Sequence, residues 1–339
     1  MFNNQITVNN RTIGKNSSVF IIAEAGLSHF GELEKAFKLV DLAVQSGADA
    51  IKFQIYNIKE LFSKESADWI NRLKTRTLPH SAFIRIKEYC DIKKIIFFAT
   101  AHDKSSLDFL IDLKVPIIKI GSGEVGNLSY YEKAAKFEQP IIFSTGMFTL
   151  AQITDVINIF KKNKKKDIAM MHCVTDYPAK YDDISLNNIN FLAKKFKIIT
   201  GYSDHTKGYH IPLAAVALGA KIIEKHITLD YFVPNAQDWK VSCGPSNFKK
   251  FVTQVRDIEK TLSIRQSGPT CNEMKNISWA KKSLVTLKAL EKGHVIKLSD
   301  LIEKRPGTGI CPSNINNVIG KKVIRYIPKD SLLSLKDLI

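Results

Sequence analysis

Nowhere in this 339-residue sequence does an uncharged apolar run approach the ~18 residues that a membrane-crossing helix needs, so no membrane partner is expected. The opening MFNNQITVNN has neither a basic n-region nor an apolar h-region, so export is not expected and a cytoplasmic location is. Cysteine is sparse. Cys90, Cys173, Cys243, Cys271 and Cys311 are odd in number, scattered and without a C-x-x-C, which argues against a disulfide framework or a zinc knuckle and fits a reducing compartment. Acidic residues are in deficit, 33 against 50 lysines and arginines, for a net charge of +17. A nucleic-acid binder gathers such charge on one face between aromatic platforms. Here the dense run is Lys161-Lys-Asn-Lys-Lys-Lys166, which follows an apolar helical pattern and reads as a solvated turn. Nucleic acid is therefore not an expected partner. A field that attracts small anions, or a lysine-rich composition, accounts for the excess.

What the chain does contain is apolar residues, 45% of the total, enough for a sizeable core, and 24% charge. They are arranged as a recurring unit. Val19-Phe-Ile-Ile-Ala-Glu24 reads as a strand, and a helix follows with Leu33, Ala36, Phe37, Val40, Ala43 and Val44 on one face and Gly47 as its stop. Ala50-Ile-Lys-Phe-Gln-Ile-Tyr56 is the next strand, which makes a parallel crossover. Residues 57–78 form a polar excursion with Trp69, in the position of a lid. Strand runs recur at 95–101, 117–122, 140–145, 168–174, 198–204 and 221–228, and most are separated by helix-length segments such as Ile211–Leu218. Eight near-continuous apolar strands alternating with helices predict a (β/α)8 TIM barrel within an α/β class. A doubly wound sheet is the alternative, but no G-x-G-x-x-G follows the first strand. Phe248–Leu262 reads as a closing helix, residues 263–282 as a linker, and 283–339 as a small β-rich domain too short to carry much core alone.

In such a barrel the active site lies at the C-terminal ends of the strands. Those ends supply Glu24, Lys52 with Gln54, Thr100, Lys119 with Ser122 and Glu124, Ser144, Tyr177, Ser203 with Asp204 and His205, and Glu224 with His226. Any one of these residues could be structural, and either His could be a core imidazole bonded to a carbonyl. A full ring of them is hard to explain as structure, because charges at buried strand ends cost desolvation unless paired or used. Lys119, Ser122, Ser144 and Ser203 suit a phosphate, with Lys52 as a second cation. His205 and His226, on neighbouring strands, could hold one divalent metal that polarises a carbonyl. Glu24 and Glu124 are carboxylates available for proton transfer. The set suggests carbon–carbon bond formation between a phosphorylated and a carbonyl substrate.

The motifs Ile-Ala-Glu24-Ala-Gly, Gly47-Ala-Asp-Ala-Ile-Lys52-Phe-Gln54, Lys119-Ile-Gly-Ser122-Gly-Glu124, Ser144-Thr-Gly-Met, His172-Cys with Tyr177-Pro, Ser203-Asp-His205-Thr, Glu224-Lys-His226 and Lys304-Arg305-Pro-Gly-Thr-Gly follow one another in order. In this the chain resembles the bacterial sialic acid (nonulosonic acid) synthase family. The resemblance implies a TIM barrel plus an antifreeze-like (SAF) domain in a domain-swapped homodimer. It also implies phosphoenolpyruvate and an N-acetylated hexosamine aldehyde as substrates. It assigns manganese or magnesium to His205 and His226, the phosphate to Lys119, Ser122, Ser144 and Ser203, and further substrate contacts to Lys52, Gln54, Thr100, Tyr177, Asp238 and Arg305, the last reaching the partner's site. Glu24, Glu124 and Lys52 are the expected catalytic residues. The chain departs from the family pattern at Ser28-His-Phe-Gly31, where Asn-His-Asn-Gly is usual, and at Thr100-Ala-His102, where Thr-Pro-Phe is usual. It departs again at Thr175, for asparagine, and at Asn235-Ala-Gln-Asp-Trp-Lys240. These changes bear on the sugar more than on the phosphate. Alternative readings are a related phosphoenolpyruvate-dependent synthase of seven- or eight-carbon keto acids, and a non-catalytic sugar- or nucleic-acid-binding barrel.

Overall fold

A computed structural model of the chain describes residues 1–234, 236–264 and 268–339. They fall into two compact units, Met1–Ser263 and Ile264–Ile339. The first opens with an antiparallel hairpin, β1 (Gln5–Val8) and β2 (Arg11–Gly14), whose Ile6, Val8 and Ile13 are buried in the main core. Eight parallel strands then close a barrel: β3 (Phe20–Gly26), β4 (Ala50–Ile55), β5 (Ile96–Ala101), β6 (Ile118–Ile120), β7 (Ile141–Ser144), β8 (Ile168–Cys173), β9 (Ile199–Asp204) and β10 (Ile222–His226), with β10 pairing back onto β3. The barrel expectation holds, and the doubly wound alternative is excluded by this closure. Helices follow most of the strands; Leu33–Ser46 ends on Gly47, whose φ of 79° is left-handed, as the stop signal required.

These runs are strands because both of their faces are buried, one in the barrel lumen and the other against the helices. Only apolar side chains tolerate that position along most of a strand's length. Register then decides where the polar ends meet. Glu24 of β3 lies beside Lys52 of β4, Gln54 beside Thr100, Thr100 beside Lys119, and Glu224 beside Ser203. Gly201 is required by close packing of β9 on β10, since a Cβ there would sit 2.5 Å from the Ile222 carbonyl oxygen.

The polar excursion after β4 is folded. It forms a short helix, Ile58–Leu61, a 3-10 turn, and a helix at Ala67–Lys74, none with a buried residue. The closing helix runs Pro245–Thr261, three residues longer at its start than the apolar periodicity indicates, because Pro245 occupies its first turn. The stretch expected as a linker instead holds the helix Cys271–Ala280, set by a capping box between Thr270 and Glu273; residues 265–267 of that stretch lie outside the described residues. In the second unit, β11 (Ser283–Thr286) and β12 (Leu301–Lys304) pair antiparallel. The other β-like runs make isolated bridges only, such as Val295 with Lys322 and Val323 with Leu338. Among the described residues no helix is long and apolar enough to cross a membrane.

On the outer side of β9 and β10, Lys225 and Asp204 form an ion pair with both side chains fully buried, and Lys225 also donates to the Thr206 carbonyl at 2.8 Å. Removing one partner strands a buried charge. Chemical denaturation should show Asp204→Ala destabilised by about 3–5 kcal/mol, and the Asp204→Leu/Lys225→Met double variant much less. Equal losses in both would remove the stranded ammonium as the cause.

Candidate active site

At the C-terminal mouth of the barrel the strand ends enclose a polar chamber of about 220 Å³. Lys52 Nζ lies 2.7 Å from Glu24 Oε2 and 3.6 Å from Glu224 Oε1, and donates to Thr100 Oγ1 at 2.9 Å. Lys119 Nζ donates to Ser144 Oγ at 2.8 Å and lies 3.8 Å from Glu224 Oε2. Glu224 accepts from Ser203 Oγ at 3.0 Å, and Glu24 from Gln54 Nε2 at 3.1 Å. All four charged side chains are buried, so each is held by the others rather than by water. Burial pushes the Glu24 carboxyl up to about 7 against the pull of Lys52. Burial also raises Glu224, but Lys119 and Lys52 outweigh it and keep this carboxyl low. Burial lowers the Lys119 ammonium, whereas Glu224 and Glu24 overcome the same effect at Lys52 and raise it.

Beside these charges Ser122 Oγ accepts from the Gly146 amide at 3.0 Å. A Cβ at Gly146 would lie 2.2 Å from Thr175 Oγ1 and 2.8 Å from Ser122 Oγ, so this wall admits glycine alone. With Ser144 and Ser203, the hydroxyls and Lys119 form a cradle for a phosphate-sized anion.

His205 and His226 face one another across the same chamber, ring centroids 5.4 Å apart, with Tyr177 stacked on His205 at 4.0 Å. His205 Nδ1 donates to the Val174 carbonyl at 2.7 Å, and its Nε2 lies 2.9 Å from the Tyr177 hydroxyl. Burial holds His226 well below its usual value, and among the described residues its buried Nδ1 has no hydrogen-bond partner. The second imidazole is thus neutral, the state in which histidine ligates a divalent ion, whereas at His205 the neighbouring Cys173 and the Val174 carbonyl outweigh burial and push the ring up. Among the described residues no three His, Cys, Asp or Glu side chains converge on one metal position. An ion bound here would take its protein ligands from His205 and His226.

Of the residues expected at the site, the chamber brings together Glu24, Lys52, Gln54, Thr100, Lys119, Ser122, Ser144, Tyr177, Ser203, His205 and His226. It does not include Glu124. That carboxylate closes a 3-10 turn, Ser122–Glu124, and accepts from Asn127 Nδ2 at 2.7 Å, so the turn carries it off the chamber wall. Asp238 lines a second, larger cavity of about 470 Å³ that abuts the first and is mostly apolar, with Leu61, Phe62, Trp69, Leu73 and Trp239 in its wall. Residue 235, in the segment where the chain departs from the family pattern, lies outside the described residues. Arg305 belongs to the second unit, with its guanidinium 5.3 Å over the Trp279 ring. Glu224 carries more of the site than strand-end position alone assigns. Its signal was the period-two spacing Glu224/His226 beside Ser203/His205, which puts all four on one face.

A barrel whose mouth holds a lysine–hydroxyl anion cradle beside a histidine pair defines an enzyme that handles a phosphorylated substrate. Residues 39–267 match the NeuB family and residues 281–339 the SAF domain. The chain is 38% identical over 328 residues to N,N'-diacetyllegionaminic acid synthase of Campylobacter jejuni, covering 92% of this chain and 98% of that one. It is 31% identical to human N-acetylneuraminate-9-phosphate synthase, covering 95% and 93%. The crystal structure of N-acetylneuraminic acid (sialic acid) synthetase from Leptospira borgpetersenii, in complex with citrate, superposes with a TM-score of 0.75 at 40% identity over 80% of this chain and 95% of that one. This chain belongs to the NeuB family, the phosphoenolpyruvate-dependent nonulosonic acid synthases.

The Glu24 carboxyl exchanges its proton near neutrality, so a role as base has a definite sign. Below about 7 the carboxyl is protonated and cannot accept, so kcat/KM should fall as pH drops through that value. Glu24→Gln should remove this acid limb and lower kcat by about 100-fold or more. An unchanged limb in the glutamine variant would assign it to another group.

Proposed function

We propose that the protein condenses phosphoenolpyruvate with the open-chain aldehyde of an N-acetylated hexosamine (N-acetylmannosamine or a related diacetamido sugar) and water, giving a nine-carbon α-keto sugar acid and phosphate. The observation that carries this reading is the pairing of two chambers of opposite character. One is small, with two ammonium groups and three serine hydroxyls for the phosphorylated donor; the other is larger and mostly apolar, for the sugar. The similarity to enzymes named for legionaminic and sialic acid synthesis supports the same pair of substrates.

In this reading Lys119, Ser122, Ser144 and Ser203 hold the phosphate, and Lys52 adds a second cation against the donor's negative charge. When bound, manganese or magnesium at His205 and His226 supplies Lewis-acid polarisation of a carbonyl oxygen. The methylene carbon of phosphoenolpyruvate bonds to the aldehyde carbon, whose oxygen takes up a proton, and positive charge develops at C2. The Glu24 carboxylate, held 2.7 Å from Lys52, accepts a proton from the water that bonds to C2. The tetrahedral carbon then expels phosphate by C–O cleavage, and loss of the remaining hydroxyl proton yields the ketone. Glu24 rather than Glu124 takes this transfer, because Glu24 lines the chamber and Glu124 does not. Holding two substrates and a water in line supplies much of the acceleration, which a dry, lidded chamber favours.

The test is a phosphate-release assay with mass spectrometry of the products from a panel of N-acetylated hexosamines. Phosphate release that depends on the sugar, with a product nine carbons long, is expected. A chelator should abolish turnover and manganese restore it. Turnover in excess chelator by protein free of metal would remove the metal from the scheme, and an eight- or seven-carbon product would move the enzyme to another reaction.

Arg305 is assigned to the acceptor sugar of the partner subunit in a swapped homodimer. The second unit buries few apolar residues, among them Leu284, Leu290, Ile296 and Val318, yet exposes this guanidinium in an Arg-Pro-Gly loop. Mixing Arg305→Ala with Lys119→Met subunits provides the check. In a swapped dimer each heterodimer has one site with both lesions and one with neither, so activity should partly recover. With demonstrated subunit exchange, no recovery would make Arg305 act on its own barrel.

A further inference from the structure

Four residues line both chambers and so form the waist between them: Gln54, His102, Gly123 and Tyr177. Under the reaction just proposed, on which this inference rests, the acceptor passes through that waist, with its aldehyde end in the polar chamber and its tail in the apolar one. Buried polar groups on the substrate need partners there, because water is displaced. The waist has few to offer. Tyr177 directs its hydroxyl at His205 Nε2, 2.9 Å away, the atom a bound metal would take, and Gln54 gives one amide N–H to Glu24 at 3.1 Å. Gly123 has no side chain, and a Cβ placed on it would meet nothing within 4 Å, so the waist is open on that side.

His102 is different. It follows β5, anchored by its amide to the Ile55 carbonyl at 3.1 Å, and its ring lies 6.4 Å from that of Tyr56. Among the described residues neither ring nitrogen has a hydrogen-bond partner. Burial, with Lys52 and Lys119 nearby, pushes this imidazole down to about 4, so it is neutral at the pH of the cell. A neutral imidazole offers one donor and one acceptor. His102 thus brings both to the waist unspent, beside the Oε1 and second N–H of Gln54.

We propose that His102 is an acceptor-binding residue, hydrogen-bonding a hydroxyl or amide of the sugar as it crosses the waist between the two chambers. It therefore contributes to the choice of sugar and not to the binding of phosphoenolpyruvate. The position is also one where the chain departs from the pattern of the family it resembles, which carries phenylalanine there. His102→Phe keeps an aromatic ring there, of six atoms instead of five, and removes the hydrogen-bonding nitrogens.

The experiment measures separate KM values for phosphoenolpyruvate and for the best sugar from the panel, in native protein and in His102→Phe, His102→Ala and His102→Gln. Losing one hydrogen bond to a buried substrate group should raise the sugar KM by about five- to twenty-fold in the Phe and Ala variants. The phosphoenolpyruvate KM should stay within about two-fold, and His102→Gln, which keeps a donor and an acceptor, should recover most of the sugar affinity. The proposal is overturned if the Phe and Ala variants bind the sugar as the native enzyme does, or if both KM values rise together. Two deletion variants are used so that misfolding of one leaves the other to decide. If native enzyme turns over no sugar at all, it is the proposed reaction that fails, a result distinct from native turnover with an unaffected His102→Phe.

Discussion

The mouth of this barrel depends on two lysines and two glutamates keeping one another charged out of water. Lys52 touches both carboxylates, Lys119 reaches Glu224, and all four side chains are buried. Any of these charges alone would be expelled or neutralised by the apolar strands around it. Together they sum to about zero, yet the distribution is uneven. Lys52 lies between Glu24 and Glu224, whereas Lys119 is 3.8 Å from its nearest carboxylate oxygen and donates instead to a serine. Burial lowers the Lys119 ammonium, so it is the cation with most to gain from an entering anion. In the proposed reaction that asymmetry favours the β6–β7 side of the chamber for the phosphate, and it leaves Glu24, on the β3–β4 side, the carboxyl that exchanges its proton near neutrality.

This arrangement is possible because a parallel barrel separates stability from function along each strand. The first residues of β3, β7 and β10 are isoleucines and phenylalanines packed on both faces, and they set the register. Register then fixes the polar residues at the far ends to within the reach of a hydrogen bond without any of them contributing to the core. The buried Lys225–Asp204 pair extends the same logic outward. It ties β10 to β9 directly behind the two strand ends that carry His226 and His205.

Much of this was legible in the sequence for a physical reason. Strands buried on both faces read as unbroken β-branched runs, and the abrupt change to ionisable residues marks where each run leaves the core. Glu24, Lys52, Lys119, Ser203, His205 and His226 were found by that change alone. Glu124 was harder to place, because it is two residues beyond Ser122 in a 3-10 turn, where direction follows neither the strand nor the helix period. The helix Cys271–Ala280 was passed over in a polar stretch, although Thr270 and Glu273 spelled a capping box. The apolar chamber could not be read at all. Its wall joins Leu61 and Trp69 to Trp239, far apart in the chain, on segments whose helices bury none of their own residues.

Those segments face two conflicting demands. A chamber that joins an aldehyde to an enol carbon has to be dry, since water competes both for the cation at C2 and for every polar contact that aligns the sugar. It must also admit one water, at one place, to complete the reaction. A uniformly apolar lining would exclude that water, and a uniformly polar one would flood the site. Splitting the space resolves the conflict. In the proposed reaction Trp69, Phe62 and Leu73 give the sugar side its apolar wall, while Glu24, Lys52 and Gln54 form a fixed polar edge at which a single water would be held by charge and given direction. The boundary between dry and wet then falls at the waist, so what stands there acts on the sugar before the chemistry does.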